Sequence, residues 1–194
     1  MRPIHTKYVT SAEEYGKRKM NRKSEKCPHC HVAGCLVGHG RLMGYGEGKQ
    51  EKIQRGWREL CSKRYGKNGC GRTFQVLLAD RLYHRLAPAM KLWRLLTGIV
   101  GGKSIKAVWD KIASPLSDDT GYRLWRAFQR SQTKIRTLLC REKSPPKLSS
   151  GSASAQVIEH INAVFAKPEH TTSRSTGNPI AEFQLHFQRA FLSG

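Results

Sequence analysis

The chain has 194 residues, enough for one modest domain with appendages or for two very small domains. It carries 35 Lys and Arg against 14 Asp and Glu, a formal net charge of +21 at pH 7. Such a surplus repels itself unless a polyanion neutralises it, so the composition indicates a nucleic-acid partner. No apolar run is long enough to span a bilayer, and no charged-then-apolar leader opens the chain. We therefore expect a cytoplasmic, nucleoid-associated protein with no membrane contact.

Residues 1–26 form a predicted basic arm with little apolar content to bury. Arms of this composition commonly stay disordered until they meet phosphate groups. The candidate phosphate contacts are Lys17, Arg18, Lys19, Arg22 and Lys23.

Residues 27–79 contain five of the six cysteines, in short stretches rich in glycine. Cys27 and Cys30 bracket a Pro-His pair, the tight turn of a zinc knuckle, and Cys61 and Cys70 supply a second pair separated by eight residues. Without a secretory leader, clustered cysteines favour metal over disulfides. Four thiolates about 2.3 Å from one ion make a closed, structural site. The segment is therefore predicted to be a zinc ribbon that holds Zn²⁺.

The remaining two cysteines and the nearby histidines are weaker candidates for metal ligands. Cys35 is either a small buried residue or an exchange ligand, and Cys140 is expected to pack within a helix. His29, His31 and His39 are possible substitute ligands, although surface histidines explain all three.

Residues 80–143 change to helical periodicity. Ile105, Val108, Trp109 and Ile112 form one apolar stripe, and glycine or proline separates this short helix from a helix on either side. Ser117, Asp118 or Asp119 could cap the third helix. Three helices with short turns are the layout of a helix-turn-helix domain.

The third helix is the candidate for reading DNA. Its outward charges recur at steps of three and four residues and are all positive, whereas its apolar residues face the other way. An ordinary helical bundle with a solvated charged face is the alternative. The candidate base contacts are Asp119, Thr120, Tyr122 and Arg123, the candidate backbone contacts are Arg126 and Arg130, and Lys103 and Ser104 are further DNA-binding candidates.

Residues 144–155, rich in Ser, Pro and Gly, read as a flexible linker, and residues 156–194 as a tail with short amphipathic helices. Phe183, Phe187 and Phe191 recur every four residues, which fits docking into a partner's groove or packing onto the protein's own body. The predicted fold is therefore mainly α with a small β zinc ribbon, followed by a three-helix helix-turn-helix domain and a flexible tail.

Several motifs together carry a family resemblance. The stretches "CPHC", "GHG", "RELC…CGRTF" and "GGKSIKAVW…LSDDTGYRLWRAF" resemble the zinc-ribbon and helix-turn-helix region at the front of bacterial insertion-sequence transposases, over roughly residues 27–141. The resemblance implies that Cys27, Cys30, Cys61 and Cys70 are zinc ligands and that the helix from Asp118 reads DNA. Those transposases continue into a catalytic domain with three metal-binding carboxylates. After residue 141 only Glu142, Glu159, Glu169 and Glu182 remain, so the resemblance implies end recognition without catalysis.

We therefore expect a non-enzymatic accessory protein of a mobile element that binds double-stranded DNA at element ends. A recombinase, a transposase or a second copy of the chain would engage the tail. One alternative is a transcriptional repressor that uses the same helices. Another is an RNA-binding protein that stacks bases on Tyr45, Trp57 and Tyr65.

Overall fold

The computed structural model describes residues 5–48, 51–147, 151–165 and 176–192. The chain divides into two compact units, Met1–Ala79 and Asp80–Gly194. No helix in the described ranges is long and apolar enough to cross a membrane. Parts of the predicted linker and tail, residues 148–150, 166–175 and 193–194, lie outside the described residues.

The first unit is built on a mixed four-stranded sheet in the order β1-β4-β3-β2. β1 pairs parallel with β4, and the other two pairings are antiparallel. Phe74 and Val76 alternate along β4 and are fully buried, and Trp57 of β3 packs with them, so one face of the sheet holds the core. The elements are β1 (Thr6–Val9), α1 (Ala12–Met20), β2 (Leu36–Tyr45), β3 (Lys52–Cys61) and β4 (Thr73–Leu78).

Charged groups hold α1 to the sheet. Ser11 caps the helix by accepting a bond from the Glu14 N–H at 3.2 Å. Glu59 on β3 is fully buried, and its carboxylate accepts from Arg22 Nη2 at 3.1 Å and lies 3.9 Å from Arg18 Nη2. Arg18 also donates to Glu25 at 2.5 and 2.6 Å. Removing one partner of a buried pair costs about 3–5 kcal/mol, because it leaves the other charge uncompensated.

The prediction of a disordered arm is therefore wrong for residues 5–26. The composition of the arm does not reveal two stabilising interactions that form only in the folded protein, a strand pairing and a set of ion pairs. β1 forms backbone hydrogen bonds with β4, and Arg18 of α1 and Arg22 just after that helix meet a carboxylate that lies more than thirty residues away in sequence.

The second unit contains five helices in its described residues. Pro88 precedes α2, and Ser104 caps α3 by accepting from the Ala107 N–H at 3.2 Å. Ala113 ends α3 in the left-handed conformation, and α4 begins at Asp118 after Ser117. The helices are α2 (Ala89–Val100), α3 (Ile105–Ile112), α4 (Asp118–Glu142), α5 (Ala153–Phe165) and α6 (Pro179–Phe187).

The tail belongs to the core of this second unit. Phe183 and Phe191 are each only 1% exposed, and the ring of Phe191 lies 6.1 Å from Phe128 of α4 and 5.2 Å from Phe183. The main chain is tied as well, because the Phe191 N–H donates to Gln184 Oε1 at 3.2 Å. The predictions of a flexible tail and of partner binding by these phenylalanines are therefore corrected, because the tail packs into the core of its own unit. Phe183 and Phe187 lie on α6 and Phe191 follows the end of that helix; Phe183 and Phe191 are in the core, and Phe187 is half-buried beside it.

The fold-class prediction as a whole is wrong. The described residues contain a four-stranded mixed sheet and six helices, an α/β fold, where the sequence predicted a small ribbon and a three-helix domain. The sequence analysis did not predict the parallel β1–β4 pair. Its strands are separated by 63 residues, between Val9 and Thr73, and no local sequence pattern indicates such a pairing.

Candidate metal centre and nucleic-acid interface

Four cysteine sulfurs from three parts of the first unit converge on one point. The Sγ atoms of Cys27, Cys30, Cys61 and Cys70 all lie within 4.8 Å of one another. Cys27 and Cys70 are 3.8 Å apart, and Cys30 and Cys61 are 3.7 Å apart. Four thiolates about 2.3 Å from a tetrahedral ion would be separated by about 3.8 Å. The four sulfurs therefore match the geometry of a metal site, and they can hold a metal ion.

A tight backbone turn presents the first two sulfurs. The Cys27 N–H donates to the Val32 carbonyl at 3.0 Å, and the His31 N–H donates back to the Cys27 carbonyl at 2.9 Å. His31 takes a left-handed φ of 59° to close this turn. The His29 N–H lies 3.3 Å from Cys27 Sγ and donates to it. The predicted knuckle is thus a turn whose amides also face a ligand sulfur.

The second two sulfurs come from the end of β3 and from the loop before β4. Cys61 is the last residue of β3, and the Gly71 N–H donates to its carbonyl at 2.8 Å. The Cys70 N–H donates to Cys61 Sγ at 3.2 Å. These bonds fold the eight residues between the two cysteines back on themselves, so the long spacing produces the same convergence as a short one.

The protein environment shifts the pKa values of these thiols in opposite directions. A hydrogen bond from the Val32 N–H is the main cause that lowers the pKa of Cys30 to about 7. Burial raises the pKa values of Cys27 and Cys61. Burial therefore disfavours the thiolate forms of two of the thiols, a cost that a bound metal ion would offset, since metal-bound cysteines are thiolates. A set of four protein sulfurs leaves no open position, so the site is suited to a structural role.

The other candidate ligands lie apart from this cluster. Cys35 is buried and its thiol donates to the Ala33 carbonyl at 3.5 Å, whereas Cys140 is exposed on α4, so its predicted packing role is wrong. His29 Nε2 lies 3.1 Å from the Thr73 carbonyl oxygen. His31 and His39 are exposed.

Glycine at position 69 is required by the packing of the second cysteine pair. A β-carbon there would lie 2.2 Å from the Ser62 carbonyl oxygen and 2.8 Å from Cys61 Sγ. We expect Gly69→Ala to weaken metal affinity about 10–100-fold, the range for groups that orient ligands. Competition with a chromophoric chelator measures this. Gly16→Ala is the control, since a β-carbon at Gly16 meets nothing within 4 Å. Equal affinity in both variants would contradict the role of Gly69.

The predicted phosphate contacts of the arm separate into two groups. Lys17 forms an ion pair with Glu13 at 2.7 Å, and Arg18 and Arg22 belong to the buried network around Glu59. Lys19 and Lys23 are exposed. The arm therefore offers fewer accessible charges to a ligand than its composition predicts.

The predicted DNA-reading helix carries an accessible cationic row. Arg123, Arg126 and Arg130 are exposed, and no carboxylate in the described parts of the chain pairs with them. Within the first turns of α4, Asp119 is exposed and Tyr122 is 41% exposed. Thr120 is half-buried, with its hydroxyl 3.4 Å from that of Ser117.

A cationic hollow lies between α2 and α3. It has a volume of about 390 Å³, and Arg94, Lys103 and Lys111 line it around a floor that includes Val108. Lys103 was among the DNA-binding candidates, but Arg94 and Lys111 were not. These three residues share no sequence pattern, and the close packing of α2 on α3 brings them together. Gly98 permits that packing, because a β-carbon there would lie 2.7 Å from the Val108 methyl groups.

The residues of the predicted RNA-stacking alternative have very different exposures. Tyr65 is 94% exposed and Tyr45 is 49% exposed, whereas Trp57 is only 9% exposed and stacks on Tyr15 with ring centroids 4.0 Å apart. Trp57 therefore presents an edge to solvent and not a free face for a base.

Comparison with known proteins assigns the chain to no family. No family model matches the sequence, and no curated protein or solved structure is significantly similar to the chain.

Proposed function

We propose that the protein is a DNA-binding accessory protein that recognises double-stranded DNA through α4. The observation that carries this proposal is the row of exposed arginines at positions 123, 126 and 130, which no described carboxylate neutralises. The opposite face of the helix is held in the core by Leu124, Phe128 and Ile135. A cationic helix with a rigidly packed inner face suits the major groove of DNA.

The charge of the unit that contains α4 supports the same proposal. Residues 80–194 contain 18 Lys and Arg against eight Asp and Glu, a surplus of +10. The cationic hollow of Arg94, Lys103 and Lys111 belongs to this unit and supplies further positive charge for backbone phosphates. Under this proposal Asp119, Tyr122 and Arg123 face base edges, and the hollow contributes to affinity without regard to sequence.

The proposed metal is zinc. Four sulfur ligands within 4.8 Å of one another suit Zn²⁺ better than hard cations, which prefer oxygen. In this proposal the cysteines link the knuckle, the end of β3 and the loop before β4, and so stabilise a sheet that has a small core. The role is structural, and the first unit gains its fixed shape from it.

The proposed biological setting is a mobile genetic element. It rests on the resemblance of the cysteine and helix motifs to the front region of insertion-sequence transposases, and it assigns the protein to element ends, where it would position a recombinase or transposase. Selection of bound fragments from the genome that encodes the protein tests this setting, at physiological salt with excess competitor DNA. Recovery of a short repeat that flanks a mobile element is expected, and recovery of a promoter palindrome would favour a repressor.

The role of α4 is tested by Arg123→Ala. We expect this change to weaken binding to the selected fragment by about 1–3 kcal/mol, the range for one base contact, and to weaken binding to unrelated duplex much less. Fluorescence anisotropy with the two duplexes measures both affinities.

Arg136→Ala is the matched control for this experiment. Arg136 is also an exposed arginine of α4, but at 100° per residue it lies about 115° around the helix from the middle of the row. An equal loss for Arg123→Ala on both duplexes, or an equal effect of the two variants, would contradict base reading by α4.

A further inference from the structure

The first unit contains a cationic groove that the proposed duplex contact does not use. The groove lies between α1 and the β2–β3 hairpin and has a volume of about 410 Å³. Lys19 lines it from α1 and Arg22 from the turn just after that helix, and Arg41 and Gln54 line it from the hairpin. Its size is at the lower end of pockets that hold small organic ligands, which corresponds to a nucleotide-sized group and not to the width of a duplex.

Arg22 is held in a fixed orientation at this groove. Its Nε and Nη2 groups donate to Glu59 Oε1 at 3.3 and 3.1 Å, and Nη2 also donates to the Tyr15 hydroxyl at 2.8 Å. Glu59 is fully buried, and the Arg22 side chain is only 15% exposed. A guanidinium has five N–H donors, so the two on Nη1 remain available among the described contacts. An arginine fixed in this way loses little conformational entropy when it binds phosphate.

Two further cations flank this fixed arginine. Lys19 and Arg41 are exposed, and neither pairs with a carboxylate in the part of the chain that the structure describes. Glu59 compensates one of the three positive charges, so the groove keeps a surplus of about two charges at its wall. This surplus selects an anionic ligand.

Glycines on β2 keep the groove open. A β-carbon at Gly38 would lie 3.3 Å from Arg22 Nη2 and would cover the guanidinium. At Gly40, which has a φ of 116°, a β-carbon would meet nothing within 4 Å. The backbone of β2 can therefore approach a ligand closely, which is a common use of glycine beside phosphates.

The apolar part of the wall comes from aromatic edges. Tyr15 and Trp57 are stacked on each other and are 7% and 9% exposed, so they offer edges for contact and no open ring face. A sugar or the side of a base can pack against such edges, whereas an inorganic anion gains nothing from them. The combination of fixed arginine, flanking cations and apolar edges matches a sugar-phosphate unit.

We infer that this groove binds a single strand of nucleic acid, with a backbone phosphate on Arg22 between Lys19 and Arg41. The inference is independent of duplex binding by α4, because all of the lining residues belong to the first unit. DNA and RNA strands share the sugar-phosphate chemistry, and the experiment compares the two.

The test uses the full-length protein and the double variant Lys19→Gln/Arg41→Gln. Arg22 is left in place, because its removal would leave Glu59 buried without its closest partner. Fluorescein-labelled oligothymidine and oligouridine strands of about twelve nucleotides are titrated at several salt concentrations. Each phosphate contact to a single strand contributes about −0.7 to the slope of log K against log salt, so the variant is expected to reduce the steepness by about 1.4. The strand that binds the unchanged protein more tightly identifies the polymer.

Two further variants distinguish binding in the groove from a general effect of lowering the positive charge of the protein. Arg58→Gln/Lys63→Gln removes the same two charges from exposed positions that do not line the groove, and it should leave the single-strand slope close to that of the unchanged protein. Gln54→Glu keeps the shape of the wall and adds a negative charge, so it should weaken single-strand binding. Circular dichroism checks that every variant is folded.

The outcomes distinguish this inference from the proposed function. An unchanged slope in Lys19→Gln/Arg41→Gln, or equal losses in that variant and in the matched pair, would overturn the groove. The groove variant should leave the duplex slope unchanged, and an equal reduction on duplex and single strand would also overturn it. If the protein selected no duplex but still bound single strands through the groove, the proposed function would be wrong and the inference about the groove would hold.

Discussion

Replacement of Cys61 by serine should release the metal ion and unfold the first unit. Cys61 is fully buried, and its sulfur lies 3.7 Å from that of Cys30 and accepts the Cys70 N–H. Structural zinc contributes an apparent 10–16 kcal/mol, roughly, in small finger peptides, which is as large as the whole stability of a typical domain. We therefore expect metal content to fall from about one ion per chain to near zero, with loss of the strand signal in circular dichroism.

Cys140→Ser is the control for the loss of a thiol, since Cys140 is exposed on α4 and far in sequence from the site. It should keep both the metal content and the spectrum of the unchanged protein. Treatment of the unchanged protein with a strong chelator should reproduce the Cys61→Ser spectrum. A Cys61→Ser protein that retains one tightly bound ion would refute the four-sulfur site.

Phe191→Ala should destabilise the second unit by about 3–5 kcal/mol, the usual cost of removing a buried phenylalanine. The ring is 1% exposed and contacts Phe128 and Phe183, so its loss leaves a cavity that links the tail to α4. Urea unfolding followed by tryptophan fluorescence measures the effect. In a Trp57→Phe background the remaining tryptophans, Trp93, Trp109 and Trp125, all belong to the second unit.

Phe187→Ala provides the matched comparison, since it is the same substitution in the same cluster of phenylalanines at a half-buried position. It should cost clearly less than Phe191→Ala. Equal and small losses for the two would restore the sequence prediction of a tail that is free to bind a partner, and would contradict the packing of the tail in this structure.

The aromatic stripe shows why the tail was mispredicted. Phenylalanines at every fourth residue indicate that one face of a short helix is apolar, but the repeat does not name what covers that face. The rings that cover these phenylalanines, Phe128 of α4 and Phe165 of α5, belong to other helices. Only the packed structure distinguishes a core stripe from a docking stripe.

The prediction of a disordered arm, made from its charges, was wrong for a related reason. Six Lys and Arg within ten residues, 17–26, are typical of a disordered, phosphate-seeking segment. One glutamate on β3 changes that interpretation, because burial of Glu59 requires nearby positive charge, and Arg18 of α1 and Arg22 just after that helix supply it. The same contact orients Arg22 at the groove, so the single-strand site could not be found from the composition of the arm.

The sequence by itself determined the features that depend on short spacings. The Cys-x-x-Cys turn, the side-chain cap of α3, the start of α4 and the arginine row of α4 follow from local geometry and helical periodicity. Only the tertiary structure decided the mixed sheet, the burial of the tail, the hollow of Arg94, Lys103 and Lys111, and the groove beside Arg22. Each of these joins residues that are distant along the chain, and their proximity results from burial and hydrogen bonding in the folded protein, which no local pattern encodes.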